Sequence, residues 1–419
     1  MKKLSGRGIL LKRLKLIAVF IALVILGGCV VNAFAYPFLG RTEPPQIDPP
    51  DHSDNGNSND QDDDPIDEEP EPDPEPEPEA RIPRPEHVRG LYISGYGAGY
   101  SNLRDPILDL IANSELNSLV INVKDDNGNI AYQDTQVQLA IDAGAPMNQV
   151  NMEEFFEILE EHQIYPIARI VVFKDTYIGE HKPEWALKDK NGNVWKQGKN
   201  IWIDPRHKDF WEYIIDLSIE AAEMGFGEIQ YDYVRWPSDG AVSQIADMPP
   251  GNLTDQGPYE RTEAIAEFLA YAKERLEPYN VEVSADIFGL IGSVPHEMNI
   301  GQQLELLLET EIDLLSPMIY PGHYANGSYG LANPNRYPYE TVYHSTKDYL
   351  ERMEAFGTEV YLRPWIQDFN DWHDPSFHYG EEQIRAQIRA LRELSVTEYL
   401  MWNAGNRYNQ NAYTDNYND

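Results

Sequence analysis

Cysteine is almost absent from the 419-residue sequence, and Cys29 is the only one. A single thiol excludes an intramolecular disulfide framework and any cysteine-built zinc or iron–sulfur site. Cations are scarce too: 33 Lys and Arg stand against 70 Asp and Glu, for a formal net charge of −37. A chain without a basic face cannot neutralise phosphates, which excludes general nucleic-acid binding. No G-x-G-x-x-G follows an apolar run and there is no H-E-x-x-H, so neither a dinucleotide fold nor a helix-borne zinc site is indicated. The ten histidines are scattered, and no cofactor or metal is expected.

The charge that is present is unevenly spread. Residues 1–40 carry Lys2, Lys3, Arg7, Lys12, Arg13 and Lys15 and no acid. An uncharged stretch from Leu16 to Tyr36 follows, which with the basic flank reads as a membrane-targeting segment with its N-terminus inside. Three readings fit it. As a helix of roughly 31 Å it spans the bilayer as a signal anchor. Leu26-Gly27-Gly28-Cys29 resembles a lipoprotein cleavage box, with Cys29 as the lipid-bearing residue, and Ala33-Phe34-Ala35 fits an ordinary A-x-A cleavage site. All three put the rest of the chain outside the cytoplasmic membrane. Residues 41–86 then form a disordered acidic linker: 41–80 hold sixteen acids and only Arg41, including the run Pro70-Glu71-Pro72-Asp73-Pro74-Glu75-Pro76. With little apolar surface to bury, such a chain stays extended.

From His87 to about residue 405, apolar runs alternate with amphipathic patterns. Strands are predicted at 88–95, 118–124, 165–172, 227–234, 281–287, 312–319, 359–365 and 397–403, and helices at 105–115, 151–162, 206–224, 259–278, 300–309, 340–355 and 381–394. Phe210, Ile214, Leu217 and Ala221 recur at the helical period, and Gly225 and Gly357 are placed to end helices. Eight near-continuously apolar strands alternating with helices indicate a parallel sheet covered on both faces, an α/β fold of the single (β/α)8 TIM-barrel type. Residues 406–419 read as a polar tail, leaving the eighth helix short or missing. After the third strand, Asn191-Gly192 marks a hairpin tip in a long excursion of the kind that walls active sites.

Barrel enzymes keep their reactive groups at the carboxyl ends of the strands. Polar residues there are Lys124 and Asp125, Arg169, Gln230, Asp232 and Arg235, Asp286, Tyr320 and His323, Arg363 and Asp368, and Asn403. Converging carboxylates are what glycosidic cleavage needs: one attacks or stabilises the anomeric carbon and the other protonates the leaving oxygen. Asp232, with Arg235 close behind to keep it ionised, is the expected nucleophile. Asp286 on the next strand is the expected acid/base, and Asp368 is the alternative acid. All eight tryptophans lie at or beyond position 185, and Trp236, Trp365, Trp372 and Trp402 adjoin strand ends. Indole faces suit the C–H faces of sugar rings, so a carbohydrate is the expected partner. A non-catalytic, surface-tethered glycan-binding barrel is the competing reading.

Several motifs resemble a family of bacterial glycoside hydrolase barrel domains: Arg89-Gly90-Leu91-Tyr92, Asn122-Val123-Lys124-Asp125, Ala168-Arg169, Tyr231-Asp232-Tyr233-Val234-Arg235-Trp236-Pro237, Ala285-Asp286-Ile287-Phe288-Gly289 and Ser316-Pro317-Met318-Ile319-Tyr320-Pro321. The resemblance implies hydrolysis of a glycosidic bond. More distantly, the acid ending strand 4 is similar to the nucleophile of retaining barrel glycosidases of the α-amylase and α-galactosidase type. Where α-amylase-like enzymes usually carry Glu on strand 5, this chain has Asp286, one methylene shorter. The barrel region carries −28 of the charge, which disfavours polyanionic substrates and favours a neutral or amino-sugar glycan. A monomer is assumed.

Overall fold

The computed structural model describes residues 81–249 and 260–413. The targeting segment, Cys29 and the linker as far as residue 80 lie outside the described residues. Eight staves run parallel and close on themselves. They are β1 (Arg89–Ile93), β2 (Ser118–Lys124), β3 (Tyr165–Val171), β4 (Glu228–Asp232), β5 (Glu282–Phe288), β6 (Leu314–Met318), β7 (Tyr361–Leu362 and Trp365–Gln367) and β8 (Tyr399–Trp402). Closure comes from β8 pairing with β1, with Gly90 opposite Leu400. The covering helices are α1 (Ser101–Ala112), α2 (Met152–His162), α3 (Lys208–Met224), α4 (Glu260–Leu276), α5 (Leu304–Leu308), α6 (Pro338–Phe356) and α7 (Glu381–Glu393).

The main apolar core lies between strands and helices. In α3 the inward stripe Phe210, Ile214, Leu217 and Ala221 is buried, and Gly225 ends the helix at φ 109°, a backbone conformation that a side chain would strain. A smaller cluster, including Tyr92, Val120, Ile167, Tyr320, Trp365 and Leu400, fills the barrel itself. Along β4 the alternation points Glu228, Gln230 and Asp232 into that interior. At the floor, Glu228 accepts from Nη1 of Arg363 at 2.9 Å, from Arg363 Nη2 and from the Ser284 hydroxyl; both members of this ion pair are fully buried. Gln230 receives its partner from Ser316, at 3.3 Å.

Four departures from the sequence-based expectations have physical causes. The seventh stave is split because Pro364 has no N–H to give to a ladder. The linker ends early: Ile82 is buried, Arg81 bonds Glu160, and Arg84 bridges Glu282 and Glu398, so the chain is packed from Arg81 on. The polar tail is packed as well. Among the described residues no α-helix follows β8, only a single 3-10 turn at Gln410–Tyr413; Tyr413 donates to Asp368 at 2.8 Å and Tyr408 to the Tyr92 carbonyl at 2.6 Å. In the excursion after β3, Lys188 and Val194 bridge a tight turn capped by the Asp189 carboxylate, and the two-stranded hairpin lies further on, Lys196–Gln197 against Asn200–Ile201.

The floor pair gives a stability prediction. Removing one partner of a fully buried pair strands the other charge, so Arg363→Ala should cost about 3–5 kcal/mol, read from urea unfolding. Replacing both partners, as in Glu228→Gln with Arg363→Met, should recover most of that loss. A double variant as unstable as the single one would contradict this account.

Candidate active site

Asp232 and Asp286 sit side by side at the carboxyl ends of β4 and β5. Gln230 pairs with Ser284 and Tyr231 with Ala285, so the next step of the ladder brings the two acids level. Both are almost fully buried, at 6% and 2% exposure, yet both line a cleft of about 760 Å³ at the barrel mouth. A wider depression of about 1050 Å³ lies at the opposite end of the barrel, around Arg84, Glu282 and Glu398, and contains none of the predicted site residues.

The partners of the two acids differ in kind. Asp232 is paired with Arg169 of β3, whose Nε donates to Oδ2 at 3.0 Å and whose Nη2 also reaches that oxygen. Arg169 is itself held by the Asn122 Oδ1 of β2 at 2.5 Å. Burial opposes the charge of Arg169, but Asp232, Tyr92 and Asp286 together outweigh it and hold the guanidinium above its ordinary value. Oδ1 of Asp232 accepts the Tyr233 backbone N–H at 2.6 Å. Tyr233 takes φ 52° to present that N–H, a costly backbone state for a side-chain-bearing residue. The expectation that Arg235 supports Asp232 is therefore corrected: cross-strand register puts Arg169 there.

Among the described residues Asp286 has no arginine bonded to it. The Trp365 indole donates to its Oδ1 at 2.7 Å. Burial first, and then the negative charge of Asp232, push its carboxyl well above the ordinary carboxylate range, against the opposing pull of Arg169, the Trp365 bond and Arg363. The neighbouring Tyr320 hydroxyl is pushed up by burial and by the same two acids.

Of the other predicted residues, Arg169, Arg235, Tyr320, His323, Trp365, Trp372 and Trp402 also line the cleft. The rest do not. The β2–β3 ladder slips after Asn122, so Lys124 pairs with the outward-facing Ile170 and leaves the barrel interior. There it is fully buried, 2.9 Å from Asp175 Oδ2, and donates to the Val171 carbonyl. Asp125 caps its own loop, accepting the N–H groups of Asn127 and Asn129. Gln230 lies deeper in the barrel and Arg363 on its floor. Trp236 is buried and donates to the Arg261 carbonyl. Asp368 is occupied by Asn409 and Tyr413, and Asn403 by the backbone of Asp368 and Arg407; both pin the tail. The excursion after β3 does not line the cleft, although Trp202 backs Arg235. Cleft residues that the sequence reading missed include Phe288, Met298, Met318, Ser238 and His373. They stand on loops or at strand ends without a chemical motif.

Residues 90–408 match the model of a family described as "Putative glycosyl hydrolase domain". No curated protein matches the sequence. A hypothetical protein from Ruminiclostridium thermocellum is 35% identical over 47% of this chain and 96% of that one, with a TM-score of 0.41. The glycoside hydrolase domain of PgaB (BpsB) from Bordetella bronchiseptica is 12% identical, covering 78% of this chain and 99% of that one at a TM-score of 0.55, and shares the fold. An α-galactosidase from Thermus thermophilus, in complex with stachyose, is 16% identical over 77% of this chain and 63% of that one, with a TM-score of 0.46.

The raised carboxyl carries a testable sign. An acid whose folded-state pKa lies above its unfolded value of ~3.9 leaves stability intact below that value and erodes it as pH rises toward the folded one. Asp286→Asn is neutral throughout. Its melting temperature should match the wild type near pH 3.5 and exceed it increasingly at higher pH. A constant offset across the pH range would contradict the assignment.

Proposed function

Because the chain belongs to the glycosyl hydrolase domain family matched by residues 90–408, we propose that the barrel mouth cleaves O-glycosidic bonds of an oligo- or polysaccharide, with Asp232 as nucleophile and Asp286 as acid/base. One observation carries this reading: two adjacent carboxyls in opposite electrostatic settings, one salt-bridged to Arg169 and the other held by an indole N–H in place of a cation, its carboxyl pushed up by burial. Asp232 Oδ1, with a single N–H donor, keeps a lone pair for attack on the anomeric carbon. As the C–O bond breaks, Asp286 gives its proton to the leaving oxygen and a glycosyl ester forms on Asp232. Asp286, now a carboxylate, takes a proton from water, and the resulting hydroxide equivalent releases the sugar and restores both groups. Arg169 orients Asp232 and balances its charge when the ester hydrolyses. Trp372 and Trp402 supply stacking surfaces for sugar rings along the cleft, while the buried Trp365 holds Asp286. The domain's acidity supports a glycan of low charge density.

The charge pattern of residues 1–40 supports a domain held outside the cytoplasmic membrane, by a single-pass anchor or through Cys29. Protease added to intact cells should then degrade the barrel domain while sparing cytoplasmic markers; full protection would refute that placement.

The catalytic assignment is tested by reducing-end release from a panel of neutral and amino-sugar glycans. Asp232→Asn and Asp286→Asn should each lower kcat by at least about a thousandfold without loss of folding. With an activated aryl glycoside, azide should restore turnover of Asp286→Ala as a glycosyl azide of retained configuration. Wild-type turnover in Asp232→Asn would eliminate the proposed nucleophile.

A further inference from the structure

Four arginines are buried among the described residues, and three of them have a carboxylate partner: Arg169 with Asp232, Arg261 with Glu297, and Arg363 with Glu228. Arg235 does not. Only 7% exposed, it lines the cleft that holds the two acids, and only its Nη1 is hydrogen-bonded, to the Trp236 carbonyl at 2.9 Å and the Ser238 hydroxyl at 3.3 Å. Nε and Nη2 make no hydrogen bond among the described residues, and they are not sealed from solvent.

The guanidinium is nevertheless rigidly placed. Its carbon lies 4.8 Å from the centre of the Phe288 ring, 5.0 Å from Tyr233 and 5.1 Å from Trp202. Aromatic faces fix the plane of such a cation without using its polar edge. Burial pulls its proton affinity down, and Tyr233, Asp232 and Asp239 offset this in part without hydrogen-bonding to it. A buried charge held in place with a free donor edge is costly unless something pairs with it. Arg235 lines the same cleft as Asp232 and Asp286, where substrate would lie.

We propose that Arg235 receives a carboxylate carried by the sugar, so that the glycan cleaved here bears a uronate next to the scissile bond. This rests on the glycoside hydrolase reading above. It fits the acidity of the domain, because Asp239 beside the cleft and a net −28 across the barrel region repel a run of uronates while one arginine accepts one. A planar guanidinium binds a carboxylate through two parallel N–H···O bonds, which a hydroxyl cannot match.

The test compares oligosaccharides carrying a single glucuronate or galacturonate with the same oligosaccharides after the carboxyl has been reduced to a primary alcohol. Binding to the full chain is measured by calorimetry and cleavage by reducing ends. The acid form should bind about ten- to a hundredfold more tightly, the range for a charge-assisted pair. Arg235→Gln should bring the two affinities together. Arg235→Lys, which keeps the charge and loses the planar fork, should fall between, and it decides the matter should the Gln variant unfold. Equal binding of both forms by the wild type overturns the proposal, as does full acid selectivity in either variant. Acid-selective binding without cleavage would leave this inference standing and sink the hydrolase reading; cleavage without selectivity would do the reverse.

Discussion

Three polar side chains project from β4 into a space with almost no water, and most of the barrel interior is arranged to answer them. Glu228 on the floor obliges β7 to carry Arg363 and β5 to carry Ser284. Gln230 draws Ser316 from β6. Asp232 at the mouth is met by Arg169 from β3, and Arg169 in turn needs Asn122 from β2. Each unmet group would cost the full penalty of burying an unpaired charge or dipole. This polar column explains why the large apolar core lies outside the strands, leaving only a small cluster within.

The column also grades chemistry along the barrel axis. The floor is closed: Arg363 and Glu228 are both fully buried and their charges largely cancel within the structure, whereas Gln230 in the middle donates to Ser316 and leaves its Oε1 without a partner among the described residues. At the mouth the accounting is left open. Asp286 has an indole N–H in place of a cation, and Arg235 has aromatic faces in place of an anion. An acid pushed up by burial and an arginine without an anion therefore stand on the same cleft. That imbalance costs stability in the free protein and is relieved when a substrate supplies the missing partner or proton acceptor, the pattern expected where stability and activity compete.

The strand–helix alternation was readable because burial on both faces gives strands such as 118–124 an apolar run, Leu119 to Ile121, without a polar face, and that strand was predicted with its observed limits. Asp232 and Asp286 were readable as acids ending adjacent strands. What could not be read depends on register and tertiary reach. A one-residue slip in β2 turns Lys124 away from the interior, although its sequence position matches that of a mouth residue. Asp368 directly follows β7, the place of a catalytic acid, but Tyr413 and Asn409 arrive from more than forty residues away to occupy it. The arginine for Asp232 was sought three residues along the same strand and came from the neighbouring one.

That exchange of arginines has a mechanistic consequence. Arg235 follows Asp232 in sequence but leaves the strand after Tyr233, whose positive φ turns the chain away from the barrel axis. Were Arg235 to pair with Asp232, the cleft would contain a closed ion pair and no free cation. With Arg169 supplied across the ladder and anchored by Asn122, the nucleophile is held from beneath and the space above it stays open. Two arginines near one acid thus do separate work because of one backbone turn. Arg169 pairs with the carboxylate and orients it, while Arg235 keeps its unused edge for whatever enters the cleft.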